Sequence, residues 1–159
     1  MIHWLTTTTA GHFVSTFFIS AMPVVELRGG LPFGLAMGLD LRLALLAAVL
    51  GNMMPVPFVI VYIRRFLAWL RKQWPRLDIV VEKLEKRAHL KGRLVRKYSW
   101  IGLCLLVAIP LPGTGAWTGA LVAALLDLRL RQAFAAIFLG VLIAAAAVSG
   151  MTLGVIHLI

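Results

Sequence analysis

Long uncharged stretches, separated by short charged ones, divide the chain. Residues 10–25, 43–63, 99–126 and 132–158 contain no Asp, Glu, Lys or Arg. About 20 apolar residues cross the hydrocarbon core of a bilayer as a helix, so residues 43–63 and 132–158 are each long enough to span it. Residues 10–25 are too short for a full span. The pattern predicts an all-α integral membrane protein.

The first apolar region, residues 10–39, is interrupted at its middle. Pro23, Gly29, Gly30 and Pro32 all disfavour an uninterrupted helix. In lipid, broken backbone persists only where it is buried in protein or lines a cavity. We therefore predict that residues 23–34 form the tip of a re-entrant hairpin. A kinked helix that crosses once is the alternative.

The apolar region 99–126 has a second break with the same character. Its residues are Pro110, Leu111, Pro112, Gly113, Thr114 and Gly115. The segment lacks the lysine and the spacing of a phosphate-binding loop, which excludes a nucleotide site of that kind. We predict a second hairpin tip here, where Thr114, Trp117 and Thr118 offer side-chain contacts. Trp117 would either stack on a substrate or pack between the two hairpins.

The two halves of the chain repeat this arrangement. Asp40-Leu41-Arg42-Leu43 recurs as Asp127-Leu128-Arg129-Leu130, and each precedes a long apolar helix that contains a Leu-Gly pair. One repeat covers about 10–63 and the other about 99–159, within a single membrane domain of residues 1–159. Each repeat would hold one hairpin and one transmembrane helix, so the second lies inverted in the membrane. Inverted repeats with broken helices are a transporter architecture.

Composition and charge agree with a membrane location. The chain is 61% hydrophobic and 14% charged, with a formal net charge of +10. Most of the basic residues lie in the segment 64–98, which predicts a cytoplasmic loop with both termini outside. Apolar residues recur there at steps of three and four, so we expect an amphipathic helix on the membrane surface. Its charge suits anionic lipid, and no nucleic-acid partner is expected.

Glu26 and Arg28 are the main candidates for chemistry. A charge at membrane depth costs about 2.5–3.5 kcal/mol on the mildest scale, so it needs a partner or a function. Two residues apart in extended backbone, both side chains would point the same way. Glu26 would then exchange a proton and Arg28 would bind a phosphate or carboxylate. The alternative is a structural ion pair. Asn52 either forms an interhelical hydrogen bond or contacts a ligand.

Other chemistry has no support in the sequence. His3, His12, His89 and His157 are scattered without metal-ligand spacing. The sequence shows no Ser/His/Asp or Cys/His arrangement of the kind used in catalysis, so neither enzymatic activity nor a cofactor is expected. Cys104 is the sole cysteine and lies in an apolar stretch, as a packing residue would.

Two motifs resemble those of the putative small multidrug export protein family, which is distantly similar to the DedA/VTT superfamily. They are the segment from Pro23 to Pro32, with Glu26 and Arg28, and the segment from Ala108 to Ala120. The resemblance implies paired re-entrant loops, a transport role and a multi-pass protein of a prokaryotic plasma membrane. DedA relatives are linked to translocation of polyprenyl phosphates or phospholipids with proton coupling. This chain lacks the arginine of the DedA pattern at its second break.

Three functions follow from these observations. The leading one is proton-coupled secondary transport or export of small amphipathic molecules, with the site at the two hairpin tips. The second is translocation of lipid-phosphate head groups, with Arg28 and free backbone amides around the phosphate. The third is a membrane scaffold without transport. Membrane lipid is the expected surrounding partner, and a homodimer is one way for so few helices to enclose a pathway.

Overall fold

The computed structural model describes residues 8–73, 92–109 and 114–158, and every regular element within them is an α-helix. The helices are α1 (Thr9–Ala21), α2 (Glu26–Ala36), α3 (Leu41–Met53), α4 (Pro55–Gln73), α5 (Gly92–Ala108), α6 (Ala116–Leu125) and α7 (Leu130–Leu158). The predicted all-α fold is confirmed.

Two helical stretches have the length and apolar character of membrane spans. Leu41–Phe66 has 26 residues with a mean hydropathy of 2.1, and Leu130–Gly154 has 25 residues with a mean hydropathy of 2.3. The first consists of α3 and most of α4, which only Met54 separates. The interruption lies at Met54, directly before Pro55, which lacks the N–H that a continuous helix needs.

The first hairpin is α1 followed by α2. The two helices run antiparallel, since Gly30 lies against Ser20 and Gly34 against Thr16. A Cβ atom on Gly30 would lie 1.8 Å from Ser20 Oγ, so this close approach requires glycine.

The break between α1 and α2 is shorter than the sequence suggested. It covers residues 22–25 only, and Glu26, Arg28, Gly29, Gly30 and Pro32 belong to α2. Residues 26–34 of the predicted tip are therefore helical. Leu27 and Leu31 on the same helix are fully buried, and this burial outweighs the poor helix propensity of its glycines and proline.

The second hairpin is α5 followed by α6. Gly119 of α6 lies so close to α5 that a Cβ atom would be 2.6 Å from Val107 Cγ2. Between the two helices, the described residues Ile109, Thr114 and Gly115 are not helical. Pro110, Pro112 and Gly113, which were predicted to form its tip, lie outside the described residues.

The basic segment 64–98 does not form one separate helix. Residues 64–73 prolong α4, and residues 92–98 form the beginning of α5. The helices of the neighbouring apolar stretches therefore continue into both ends of the segment, and the amphipathic surface helix stays a prediction. Residues 74–91, at its centre, lie outside the described residues.

The turn after each hairpin has the same backbone hydrogen bonds in both halves. Its donors are Met37, Gly38 and Leu39 in the first half and Leu126, Asp127 and Leu128 in the second. Gly38 and Asp127 both have a positive φ, 85° and 49° respectively. Matched residues are 89 apart (127 − 38). The two turns that lead into the long helices are therefore built alike, at an offset of 89 residues.

This register differs from the one that the repeated tetrapeptide suggested. Asp40 accepts a hydrogen bond from the Arg42 N–H at the start of α3, whereas Asp127 occupies the left-handed position of Gly38. The two tetrapeptides are thus not structural equivalents. The Leu-Gly pairs are equivalent, because a Cβ on Gly51 or Gly140 would meet a backbone carbonyl oxygen of the hairpin at 2.1 or 2.7 Å.

The two halves pack against each other through helices of both hairpins. Helix α6 packs against α4, and α2 packs against α7. At one end of this interface Arg64 Nε lies 3.6 Å from Asp127 Oδ1, and Arg64 Nη2 donates to the Leu128 carbonyl. The second arm of each hairpin therefore lies against the long helix of the other half, which brings the two breaks together.

Candidate functional site

Glu26 joins the first break to the second. It is 7% exposed, and its Oε1 accepts a hydrogen bond from the backbone N–H of Trp117 at 3.2 Å. That N–H belongs to the first turn of α6, where helical N–H groups have no partner within the helix. The negative carboxylate also suits the positive end of the helix dipole. Glu26 therefore caps a helix of the other half.

Gly115 makes this approach possible. A Cβ atom on Gly115 would lie 1.8 Å from Glu26 Oε2, 2.5 Å from Cδ and 2.7 Å from Oε1. Glu26 itself has a φ of 52°, which costs a residue other than glycine about 1–2 kcal/mol. In the repeat, Glu26 and Gly115 are equivalent positions. Backbone strain of the kind seen at Glu26, in a buried charged residue, is typical of functional sites.

Arg28 makes the opposite connection. Its Nη2 donates to the Ile109 carbonyl at 3.1 Å and to Thr114 Oγ1 at 2.9 Å, and Thr114 Oγ1 also donates to the Ile109 carbonyl at 2.8 Å. Ile109 directly follows α5, so the guanidinium lies at the negative end of that helix. The negative charge of Glu26 therefore lies at the N-terminus of α6, and the positive charge of Arg28 lies at the C-terminus of α5.

At the offset of 89, Trp117 corresponds to Arg28, and each donates to a carbonyl at the end of the first helix of the opposite hairpin. Trp117 Nε1 donates to the Ala21 carbonyl at 3.1 Å, and Arg28 Nη2 donates to the Ile109 carbonyl, whose counterpart at that offset is Ser20. Glu26 and Arg28 do not pair with each other: within the described ranges, the one ion pair is Arg64 with Asp127. The alternative of a structural Glu26–Arg28 ion pair therefore does not describe this arrangement.

A small cavity lies where the breaks meet. Its volume of about 10 Å³ is the size that holds a single water molecule, and Glu26, Arg28, Asn52, Gly115 and Val141 belong to its lining. Asn52 is 3% exposed, and its Oδ1 has no hydrogen-bond partner in the described protein. The position equivalent to Asn52 in the second repeat is Val141, so all polar side chains of the cavity come from the first repeat.

A larger apolar groove lies beside this cavity, between α4 and α6. It has a volume of about 590 Å³, and its walls include Met54, Phe58, Tyr62, Trp117 and Leu121. Phe58 and Tyr62 are 57% and 69% exposed. Trp117 links the groove to Glu26, because it lines the groove and its backbone N–H donates to the Glu26 carboxylate.

The structure brings together Glu26, Arg28, Asn52, Thr114, Gly115 and Trp117 among the residues singled out from the sequence. Pro23 lies exposed at the first break, and Thr118 is half-buried in the first turn of α6. Gly29, Gly30 and Pro32 pack within α2 instead of lining a tip. Sequence reasoning missed the groove, whose residues are ordinary apolar positions of two helices that only the fold places side by side.

The fold and the site define a class: an α-helical membrane protein with two helical hairpins, in which the charged residues of the first bind the helix ends at the break of the second. The profile of the family described as "Putative small multi-drug export protein" matches residues 26–147, so the chain belongs to this family. The matched region begins at Glu26, directly after the first break, and includes the second break. No curated protein and no solved structure matches the chain.

Proposed function

We propose that this protein is a proton-coupled secondary transporter that exports small amphipathic molecules, with its site where the two breaks meet. The observation that carries the proposal is the pairing of a buried carboxylate and a guanidinium with helix ends of the opposite repeat. Ionisable residues within membrane segments mark ion and substrate pathways by default. Membership of an export family supports the same conclusion.

In this proposal the two repeats are inverted. Each contains one hairpin and one candidate span, so a single crossing per repeat reverses the orientation of the second in the membrane. The hairpins are then re-entrant, with their breaks near the midplane. Binding sites in such transporters lie at the ends of discontinuous helices, which is where Glu26 and Arg28 are found. The basic segment 64–98 would face the cytoplasm of a prokaryotic cell.

Glu26 is the group proposed to carry the proton. When it is ionised, its carboxylate caps α6 through the Trp117 N–H. When it is protonated, it gains an O–H donor, and the buried Asn52 Oδ1 across the cavity is an acceptor without a partner. Each protonation state therefore has its own set of partners, and the change between them alters the contact between the repeats.

Proton coupling is tested by flux in liposomes. An imposed pH gradient should drive uptake or release of an amphipathic probe by the native protein. Glu26→Gln keeps an acceptor oxygen for Trp117 but cannot exchange a proton, so it should abolish gradient-driven flux while the protein stays folded. Asp40→Asn is the matched control, because Asp40 is an exposed carboxylate whose capping role asparagine preserves. Normal coupled flux in Glu26→Gln would overturn the proton role.

Translocation of a lipid-phosphate head group is a second candidate function. The apolar groove between α4 and α6 favours it, because a side-opening groove would hold acyl chains while the head group passes Arg28. The same liposomes test this function with a fluorescent phospholipid whose exposure in the outer leaflet is measured by chemical quenching. Quenching of only half of the label, as in protein-free liposomes, would exclude it.

A further inference from the structure

The apolar groove has the dimensions and position of a ligand site. Its volume of about 590 Å³ falls within the range of roughly 300–1,000 Å³ that is usual for small-molecule pockets. Met54, Phe58 and Tyr62 line it from the stretch Leu41–Phe66, which is apolar enough to cross the membrane. The groove would therefore open towards lipid, and a ligand would enter it sideways from the bilayer.

Trp117 connects this groove to the charged groups. Its backbone N–H binds Glu26, and Arg28 binds Thr114, which lies three residues before Trp117 in the chain. A molecule whose apolar part filled the groove would thus place its polar end beside the first turn of α6. The ligand would contact both a hydrophobic wall and an ionic group, as an amphipath does.

The two ionic groups differ in what they can still bind. Glu26 is 7% exposed, and one of its oxygens already accepts the Trp117 N–H. Arg28 is half-buried, and only its Nη2 is engaged, so its Nε and Nη1 have no hydrogen bond to the described protein. A guanidinium has five N–H donors in a planar fork that matches a carboxylate or a phosphate. The available charge therefore selects an anion.

We propose that the groove between α4 and α6 binds the apolar chain of an anionic amphipath, and that Arg28 binds its carboxylate or phosphate. This inference rests on the proposed transport function and specifies the substrate class of the same site. It makes Arg28 the residue that selects the charge of the ligand. Phe58, Trp117 and Leu121 select its apolar body.

Three probes with the same chain and different head groups test the proposal. Bromododecanoate, bromododecanol and bromododecyltrimethylammonium carry a negative, a neutral and a positive head, and their terminal bromine quenches tryptophan on contact. The protein would hold Trp117 as its sole tryptophan, with Trp4, Trp69, Trp74 and Trp100 changed to phenylalanine, in nanodiscs of zwitterionic lipid. All three probes should quench Trp117 saturably, the anion at the lowest concentration.

The three probes partition into lipid to different extents, so each probe is compared with itself between the native protein and a variant. Arg28→Gln should weaken binding of the anion by roughly 10- to 100-fold, the usual range for a lost charge-assisted hydrogen bond. Binding of the alcohol should not change, which also shows that the variant is folded. If Arg28→Gln also loses binding of the alcohol, Arg28→Lys is tested in its place. Lysine retains the positive charge, so this variant should still bind the anion more tightly than the alcohol.

A pair of matched substitutions tests the groove. Leu121→Phe adds bulk within it and should weaken quenching by all three probes. Leu142→Phe is the control, because Leu142 of α7 is 41% exposed, against 39% for Leu121, and does not line the groove. Equal effects of the two substitutions, or tighter binding of the cation, would overturn the inference.

The outcomes separate this inference from the proposed function. Coupled flux that depends on Glu26, without a preference for the anion, would refute the inference and leave transport intact. Anion binding that depends on Arg28, without coupled flux, would refute transport and leave the binding site.

Discussion

Replacing Gly115 with alanine should separate the two breaks. The new Cβ atom would lie 1.8 Å from Glu26 Oε2 and within 3 Å of the other two heavy atoms of the carboxyl group. Because the methyl group is fixed to the backbone, the carboxylate has to move away. The hydrogen bond of 3.2 Å between Glu26 Oε1 and the Trp117 N–H would then be lost.

The magnitude follows from the bond that is broken. A hydrogen bond to a charged group contributes about 1.5–3 kcal/mol, so Gly115→Ala should destabilise the protein by at least that much. Alanine also fits the backbone of Gly115 poorly, which adds a cost of its own. This second cost is the same whether or not the carboxylate is present. A double-mutant cycle with Glu26→Ala therefore isolates the contact, and we expect a coupling energy of about 1.5–3 kcal/mol.

The assay is reversible unfolding in mixed detergent micelles, followed by tryptophan emission, for both single variants and the double variant. Gly102→Ala is the control, since a Cβ there meets no atom within 4 Å and alanine should be neutral or stabilising in helix α5. Additive effects within about 0.5 kcal/mol would refute the contact between Glu26 and Gly115, since such additivity is typical of independent sites.

Three further outcomes are expected. Gly51→Ala should destabilise the protein by several kcal/mol in the same unfolding assay. The new Cβ would lie 2.1 Å from the Phe17 carbonyl oxygen, and a backbone atom cannot rotate away as a side chain can. A mild effect would contradict the contact between α1 and α3. Trp117→Phe should cost about 0.5–1.5 kcal/mol through the lost Nε1–H donation to Ala21, and unchanged stability would contradict that bond. A cysteine at Lys86, in a Cys104→Ser background, should react with a membrane-impermeant maleimide only from the cytoplasmic side, and labelling of intact cells would reverse the proposed orientation.

The order of helices and breaks was predictable from the sequence alone. Charge-free stretches long enough to cross a bilayer indicate the long helices, and Pro and Gly clusters indicate that the other apolar stretches are interrupted. Glu26, Arg28 and Asn52 were identifiable for the same reason, since a polar side chain in an apolar segment needs a partner wherever the fold places it. The similarity of the two halves was also visible in the sequence, although the matching turns have a different register from the tetrapeptides.

Only the tertiary structure decided the register and the partners. Burial of Leu27 and Leu31 carries α2 across Gly29, Gly30 and Pro32, so local propensity placed its beginning too late. Glu26 and Arg28 looked like a pair because they are neighbours in sequence. In the fold, each binds a helix end of the other repeat, since a free N–H or carbonyl at a helix end is a nearer and better-matched partner. Such contacts join residues more than 80 positions apart, and no local pattern in the sequence specifies them.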